Sequence, residues 1–306
     1  MNVFEIIRQT GGYITDKGDF IIFSAGIALF GIWLLKTSLG RTALIDSPPR
    51  RNNMPPYMPF IPLFIWFGFF SLATSITKQL WPKLPEWQTA FFDNLFLCIS
   101  GLIGMAVIIF LVRTHFARRL KGIGLNMKTA HKDLFFAFVN LLSVWPVLMA
   151  VIILTTFLGK FFQGQDFQLQ PHKELQLVAE YTQLPLRVLI IITTIAVVPV
   201  FEELLFRGLF QTTLRSLLEA RYSSLVPRPS PAPAKRSEDG SLVPWSAIAI
   251  SSGIFALIHS NADHWPALFV LSVCMGYAYE KSGSLLRPIF IHSLFNATSV
   301  LSVLIQ

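Results

Sequence analysis

The chain has 306 residues, of which 53% are hydrophobic and only 14% are charged. Soluble domains carry about 25% charged residues, so this chain lacks the polar surface of a soluble enzyme, a nucleic-acid-binding protein or a disordered scaffold. Its formal net charge of +8 is attributed to Lys and Arg residues in loops on one side of a membrane. The composition therefore predicts an integral membrane protein.

Eight apolar segments approach the length of about 20 residues that a helix needs to cross a bilayer. This pattern predicts an all-α, polytopic transmembrane helical bundle with about eight membrane segments. The two segments at residues 245–259 and 266–279 are short, so the hairpin that they form is expected to extend beyond the bilayer core, to tilt, or to be buried in protein. In chain order the segments cover residues 20–35, 58–77, 94–112, 134–158, 184–205, 245–259, 266–279 and 288–305.

The loops between these segments alternate between basic and mixed charge. Because cytoplasmic loops are enriched in Lys and Arg, the odd-numbered loops are predicted to be cytoplasmic and both termini to lie outside. Residues 221–240 contain four prolines and are predicted to form a mobile cytoplasmic linker. The most basic loop carries Arg113, Arg118, Arg119, Lys121, Lys128 and Lys132.

Ionisable groups are concentrated in the last four apolar segments, where each costs about 2.5–3.5 kcal/mol at the bilayer centre. Glu202, Glu203 and Arg207 interrupt one apolar run. On a helix, Glu203 and Arg207 lie at i and i+4 and are predicted to pair. Glu202 points about 100° away and has no partner on its own helix, which makes it a candidate general base. Alternatively, both glutamates mark the solvated end of the helix.

Two further polar clusters lie in later apolar segments. His259 follows Phe255 at i+4, and it is either a structural histidine or part of a site. His292 and Asn296 also lie at i and i+4, and both can donate hydrogen bonds to an oxyanion or join two helices. A carboxylate, a histidine and a His/Asn pair on three helices are predicted to converge on one cavity. These groups are what hydrolysis of an amide by water requires.

The three clusters resemble the motifs of the CAAX prenyl protease type 2 and bacteriocin-processing (CPBP, or Abi) family of intramembrane proteases. The resemblance covers roughly residues 184–306, and residues 1–183 are predicted to be N-terminal transmembrane helices. It implies a polytopic helical peptidase with its catalytic core in the C-terminal half. The motifs read Glu202-Glu203-x-x-x-Arg207, Phe255-x-x-x-His259 and His292-x-x-x-Asn296.

The resemblance also implies roles for these residues. Glu202 would activate water with help from His259, and His292 and Asn296 would hold the oxyanion. Arg207 is in addition a candidate contact for the carboxylate of the substrate. The residues expected to support the site are Glu203, Arg207 and Phe255.

The implied substrate is a peptide or a lipidated, CAAX-like protein, with membrane lipid and no nucleic acid as further partners. No cofactor is required, but Glu202, His259 and His292 could form a three-ligand zinc site, so a metalloendopeptidase is an alternative. A non-catalytic immunity or scaffold protein of the same fold and a proton-relay transporter are further alternatives. The expected location is a bacterial inner membrane or a eukaryotic endomembrane, with the active site open to the cytoplasm.

Overall fold

The computed structural model describes residues 17–48, 52–116, 118–225, 242–259 and 261–305. Within these ranges the chain is helical and contains no strand, so the predicted all-α class is confirmed. Each of the eight predicted apolar segments overlaps a helix. The helices are α1 (Lys17–Lys36), α2 (Phe60–Leu80), α3 (Glu86–His115), α4 (Ala130–Gln163), α5 (Lys173–Glu180), α6 (residues 184–225), α7 (Leu242–Leu257), α8 (Trp265–Ser282) and α9 (Leu286–Leu304).

Four helices in the described ranges are long and apolar enough to cross a membrane. Two shorter apolar helices, Phe20–Lys36 and Leu242–Leu257, accompany them. Large apolar side chains such as Phe64 and Phe110 are more than 60% exposed on the outside of the bundle, as expected of a surface that faces lipid. The chain is therefore a membrane protein, and its exact number of crossings stays a prediction. The four long spans are Phe60–Leu80, Glu86–His115, Met127–Gln163 and Leu184–Tyr222.

Helix α6 is the central helix of the bundle and changes its winding twice. Two π-helical stretches, Thr193–Val197 and Leu204–Gln211, flank the short α-helical segment Val198–Glu203. Pro199 has no amide proton, so the carbonyl of Ile195 lacks its normal α-helical donor, and the wider turn lies directly before this proline. π-helical turns often occur at functional sites. Here the two π-helical stretches lie on either side of the two glutamates.

The middle of α6 is surrounded by protein. Every residue from Phe201 to Thr213 is buried, which is typical of a core helix that is covered on all sides. Helix α3 approaches it closely at Gly104, where a Cβ atom would overlap the ring of Phe201. The bundle therefore holds Glu202, Glu203 and Arg207 away from both lipid and solvent.

One end of the bundle carries the most basic segment of the chain, residues 113–132, and we call it the basic end. The connection between α8 and α9 lies at this end, because Leu285 N donates to the carbonyl of Gly124 at 3.0 Å. Asp133 at the start of α4 accepts a 2.7 Å hydrogen bond from Ser284 and pairs with Arg287 at 3.1 Å. The basic end therefore includes the connection between α3 and α4 and the connection between α8 and α9.

The turn between α7 and α8 is polar and lies at the end of the bundle away from the basic end. His264 Nε2 lies 2.8 Å from the carbonyl oxygen of Gln170, so this turn meets the connection between α4 and α5. The predicted linker starts later than expected, since α6 continues to Leu225. The rest of that linker lies outside the described residues.

Candidate active site

A buried ion pair lies at the centre of α6. Arg207 Nη1 donates to Glu203 Oε1 at 3.1 Å, and the two side chains are 1% and 0% exposed. The pairing predicted from the i, i+4 spacing is therefore present. Burying two charges is unfavourable unless geometry and further hydrogen bonds compensate, so the surroundings of this pair decide what it can do.

Helix α8 and the ring of Phe255 complete the surroundings of Arg207. Its Nη2 donates to the carbonyl oxygen of Ser272 at 2.8 Å and to the Ser272 hydroxyl at 2.6 Å. The ring of Phe255 lies 5.1 Å from the guanidinium carbon, in cation–π contact. Because both terminal nitrogens have protein acceptors and the side chain is 1% exposed, this geometry does not support Arg207 as a contact for the substrate carboxylate.

His292 on α9 connects the two glutamates of α6. Its Nδ1 lies 3.0 Å from Glu203 Oε1, and its Nε2 lies 3.8 Å from Glu202 Oε2. His292 and Glu202 are both 6% exposed. Glu202, which has no partner on its own helix, therefore faces the imidazole of another helix across a gap too long for a direct hydrogen bond.

His259 lies just beyond the end of α7 and approaches the same site. Its Nδ1 is 2.7 Å from the carbonyl oxygen of Phe255, and the Phe255 ring lies 4.8 Å from His259 and 5.9 Å from His292, centroid to centroid. The Phe255 ring thus packs against both imidazoles, and Glu202 interacts electrostatically with both. His259 is only partly buried, in contrast to Glu202 and His292.

Asn296 lies one turn beyond His292 on α9 and has a different partner. Its Nδ2 donates to the carbonyl oxygen of Thr194 at 2.8 Å, in the first π-helical stretch of α6. The two residues expected to point at one spot therefore bind separate acceptors. One amide hydrogen of Asn296 is engaged, and the second has no acceptor among these contacts.

Several contacts of the site were not predicted from the sequence. Ser272 and Thr194 each bind a motif residue from a distant helix, and neither lies in a pattern that marks it. His172 lies 6.3 Å from His259 and stacks on His264 at 4.9 Å. Burial, together with the neighbouring His264, lowers the pKa of His172. A polar layer of imidazoles therefore lies beside His259, outside the buried carboxylates.

The depth of the site follows from the helix starts. At a rise of 1.5 Å per residue, Glu202 lies about 27 Å from the start of α6 at Leu184, and His292 about 9 Å from the start of α9 at Leu286. Both distances place the buried groups nearer to the basic end. Because Phe255 contacts His292, α7 must begin about 10 Å beyond α9 at that end, and the short hairpin stops at the depth of the site.

The three candidate zinc ligands do not form a metal site in this geometry. In the described ranges no group of three or more His, Cys, Asp and Glu side chains is arranged to hold a metal ion. His259 Nδ1 faces the backbone of its own helix, and only Glu202 and His292 Nε2 face one another. We therefore derive no chemical step through a metal.

Comparisons with known proteins agree with the motifs. Neither the curated proteins nor the solved structures gave a match to the chain. Residues 184–298 match the family model described as "Type II CAAX prenyl endopeptidase Rce1-like". This segment contains every residue of the site from Glu202 to Asn296, and the match confirms the resemblance stated from the three motifs. Residues 184–298 of this membrane protein are therefore similar to the Rce1-like type II CAAX prenyl endopeptidases.

Proposed function

We propose that the protein is an intramembrane endopeptidase. It hydrolyses a peptide bond near the C-terminus of a membrane-associated or lipidated, CAAX-like protein or peptide. The observation that carries this proposal is the meeting of Glu202 with His292, 3.8 Å apart, beside His259 in a water-poor core. A carboxylate that faces one imidazole, with a second imidazole nearby, supplies a base and hydrogen-bonding groups at one site.

The proposed reaction begins with a water molecule between Glu202 and His259. Glu202 takes a proton from this water, His259 orients it, and its oxygen bonds to the scissile carbonyl carbon. The carbonyl oxygen then carries a negative charge, which His292 and Asn296 stabilise by hydrogen bonding. When the C–N bond breaks, Glu202 passes the proton to the leaving amine. A carboxylic acid and an amine result, which ionise to a carboxylate and an ammonium group, and Glu202 returns to its starting form.

The two oxyanion donors meet this task in different ways. Asn296 has one amide hydrogen left after its bond to Thr194. His292 can donate from Nε2 only when both ring nitrogens carry a proton, and the Glu203 carboxylate lies opposite the other one. Both groups sit on one turn of α9, so a carbonyl that reaches Glu202 can be met from that helix.

The membrane setting supports a lipidated substrate. Phe64, Phe110 and Phe135 expose apolar surface on the outside of the bundle, so an acyl or prenyl chain can remain in lipid while its attached peptide reaches the polar site. The site lies nearer to the basic end, which the charge pattern predicts to be cytoplasmic. A substrate C-terminus arriving from the cytoplasm would therefore have the shorter path.

The direct test uses the full chain in proteoliposomes with a prenylated peptide as substrate. Glu202→Ala and His259→Ala are each expected to lower kcat by at least about 10³-fold, because each removes a group that acts on the water. Glu219→Gln, on the same helix but bonded to Arg215, is the control and should cleave normally. Full cleavage by either site variant would contradict the mechanism.

The substrate itself can be found by comparing membrane proteomes. Cells that carry the wild type and cells that carry Glu202→Ala should differ in shortened C-termini. If the folded wild type cleaves no C-terminus and the two proteomes agree, the alternative of a non-catalytic immunity or scaffold protein of the same fold replaces the peptidase.

A further inference from the structure

A row of four buried side chains connects three helices at the site. Ser272 Oγ on α8 accepts from Arg207 at 2.6 Å, Arg207 donates to Glu203 at 3.1 Å, and Glu203 lies 3.0 Å from His292 Nδ1. All four side chains are at most 7% exposed. The row ends where Nε2 of His292 faces Glu202. The state of this imidazole therefore depends on contacts that begin on a helix carrying none of the three motifs.

The partner of Nδ1 decides the tautomer of His292. A carboxylate that pairs with an arginine only accepts hydrogen bonds, so the contact of Glu203 with His292 requires the proton on Nδ1. In the neutral imidazole Nε2 then carries the lone pair and faces Glu202. If Glu203 turned away, either nitrogen could carry the proton, and the contact that holds Nε2 of His292 towards the site would be lost.

The position of Glu203 depends in turn on Arg207. Its second oxygen, Oε2, is buried and has no hydrogen-bond partner among the described residues, so the contacts of Oε1 with Arg207 and His292 hold the carboxylate. Arg207 Nε is likewise unpartnered, and the guanidinium is fixed by Glu203, by the Phe255 ring and by the two oxygens of Ser272. Loss of the Ser272 hydroxyl removes the shortest of these contacts and leaves only the backbone carbonyl on α8.

We propose that Ser272 is a positioning residue for the cleavage reaction, which acts through Arg207 and Glu203 to fix the orientation and tautomer of His292. This inference rests on the proposed function, because it names a further residue for the same site. Ser272 does not touch the substrate. Its removal should therefore change the rate of the bound complex more than the binding of the peptide.

The kinetic test compares Ser272→Ala, Ser272→Thr and Ser252→Ala in the full chain. We expect Ser272→Ala to lower kcat by about 10-fold or more, as misplacement behind a catalytic group does, with KM changed less than about 2-fold and an altered pH profile of kcat. Ser272→Thr keeps a hydroxyl and should restore most of the rate. Ser252 is a matched control, since it is equally buried and its hydroxyl has no partner.

A second measurement does not depend on activity. Nitrogen-15 NMR of histidine-labelled protein, with the His292 signals assigned from a His292→Gln sample, should show one tautomer with the proton on Nδ1 in the wild type. Ser272→Ala should show a mixture, and Ser272→Thr the single tautomer. If Ser272→Ala does not fold, Ser272→Cys, with a weakly accepting thiol of similar size, takes its place and should show the mixture too.

The outcomes separate this inference from the proposed function. An unchanged tautomer in the folded Ser272→Ala variant overturns the inference, whatever its activity. So does a wild-type kcat and pH profile in that variant. If the wild type cleaves nothing while Ser272→Ala still changes the tautomer of His292, the peptidase is contradicted and the role of Ser272 stays in place.

Discussion

Glu203 makes two contacts at once, one with the arginine of its own helix and one with a histidine 89 positions away. The first was predicted, because residues at i and i+4 share a helical face whatever the rest of the fold does. The second was not, since no rule of spacing connects α6 to α9. Ser272 was missed for the same reason. A serine in an apolar helix is ordinary until the guanidinium bound to it is seen.

At this scale the ion pair gives the first prediction. Glu203→Gln leaves a buried arginine without its counter-charge, which should destabilise the protein by about 3–5 kcal/mol and lower its thermal midpoint in detergent. The double variant Glu203→Gln/Arg207→Met removes both charges and should recover a large part of that loss, though not activity. A single variant as stable as the wild type would contradict the importance of the pair.

A second prediction at the residue scale concerns metal. Because the site residues form no three-ligand cluster, the proposed chemistry uses none, and dialysis against a chelator should leave the cleavage rate within about 2-fold of its starting value. Metal analysis of the same sample supplies the control. Loss of activity that returns with stoichiometric zinc would establish the metalloendopeptidase alternative and require His259 to turn towards Glu202.

At the scale of the elements, the apolar pattern predicted where helices lie but not how they are wound. The predicted segment 184–205 ends at its charged residues, whereas the helix continues for about five further turns, and protein rather than lipid surrounds it as far as Thr213. Pro199 marks the site of the change in winding, yet a proline alone does not distinguish a kink from a π-helical turn. The shortness of the 245–259 segment indicated an unusual hairpin, and how that hairpin lies in the membrane stays a prediction.

The close approach of α3 to α6 gives the prediction at this scale. In Gly104→Ala the new Cβ would lie 2.9 Å from Phe201 Cδ2, so Phe201 must move, and with it the neighbouring Glu202. We expect a loss of about 1–3 kcal/mol from overpacking and a reduced kcat, measured by thermal unfolding and peptide cleavage. Gly68→Ala is the control, because nothing lies within 4 Å of its Cβ. That helix should become slightly more stable, and equal behaviour of the two variants would count against the packing argument.

At the scale of the whole molecule, the charge pattern and the helix packing can be compared directly. Six exposed Lys and Arg side chains lie between residues 113 and 132, and the contacts of Gly124 and Asp133 place the α8–α9 connection beside them. The sequence predicted the basic loop, whereas the depth of the three motifs relative to it depends on how far each helix projects from the bundle.

Orientation is therefore the property of the whole molecule that can be tested with least ambiguity. In a background with Cys98 and Cys274 replaced by Ala, Lys128→Cys at the basic end should react with a membrane-impermeant maleimide only after the cells are opened. Lys83→Cys, in the connection between α2 and α3 at the other end, should react in intact cells. Labelling in the reverse order would invert the protein in the membrane, so the site would lie closer to the outer face and a cytoplasmic C-terminus would no longer be the nearer substrate.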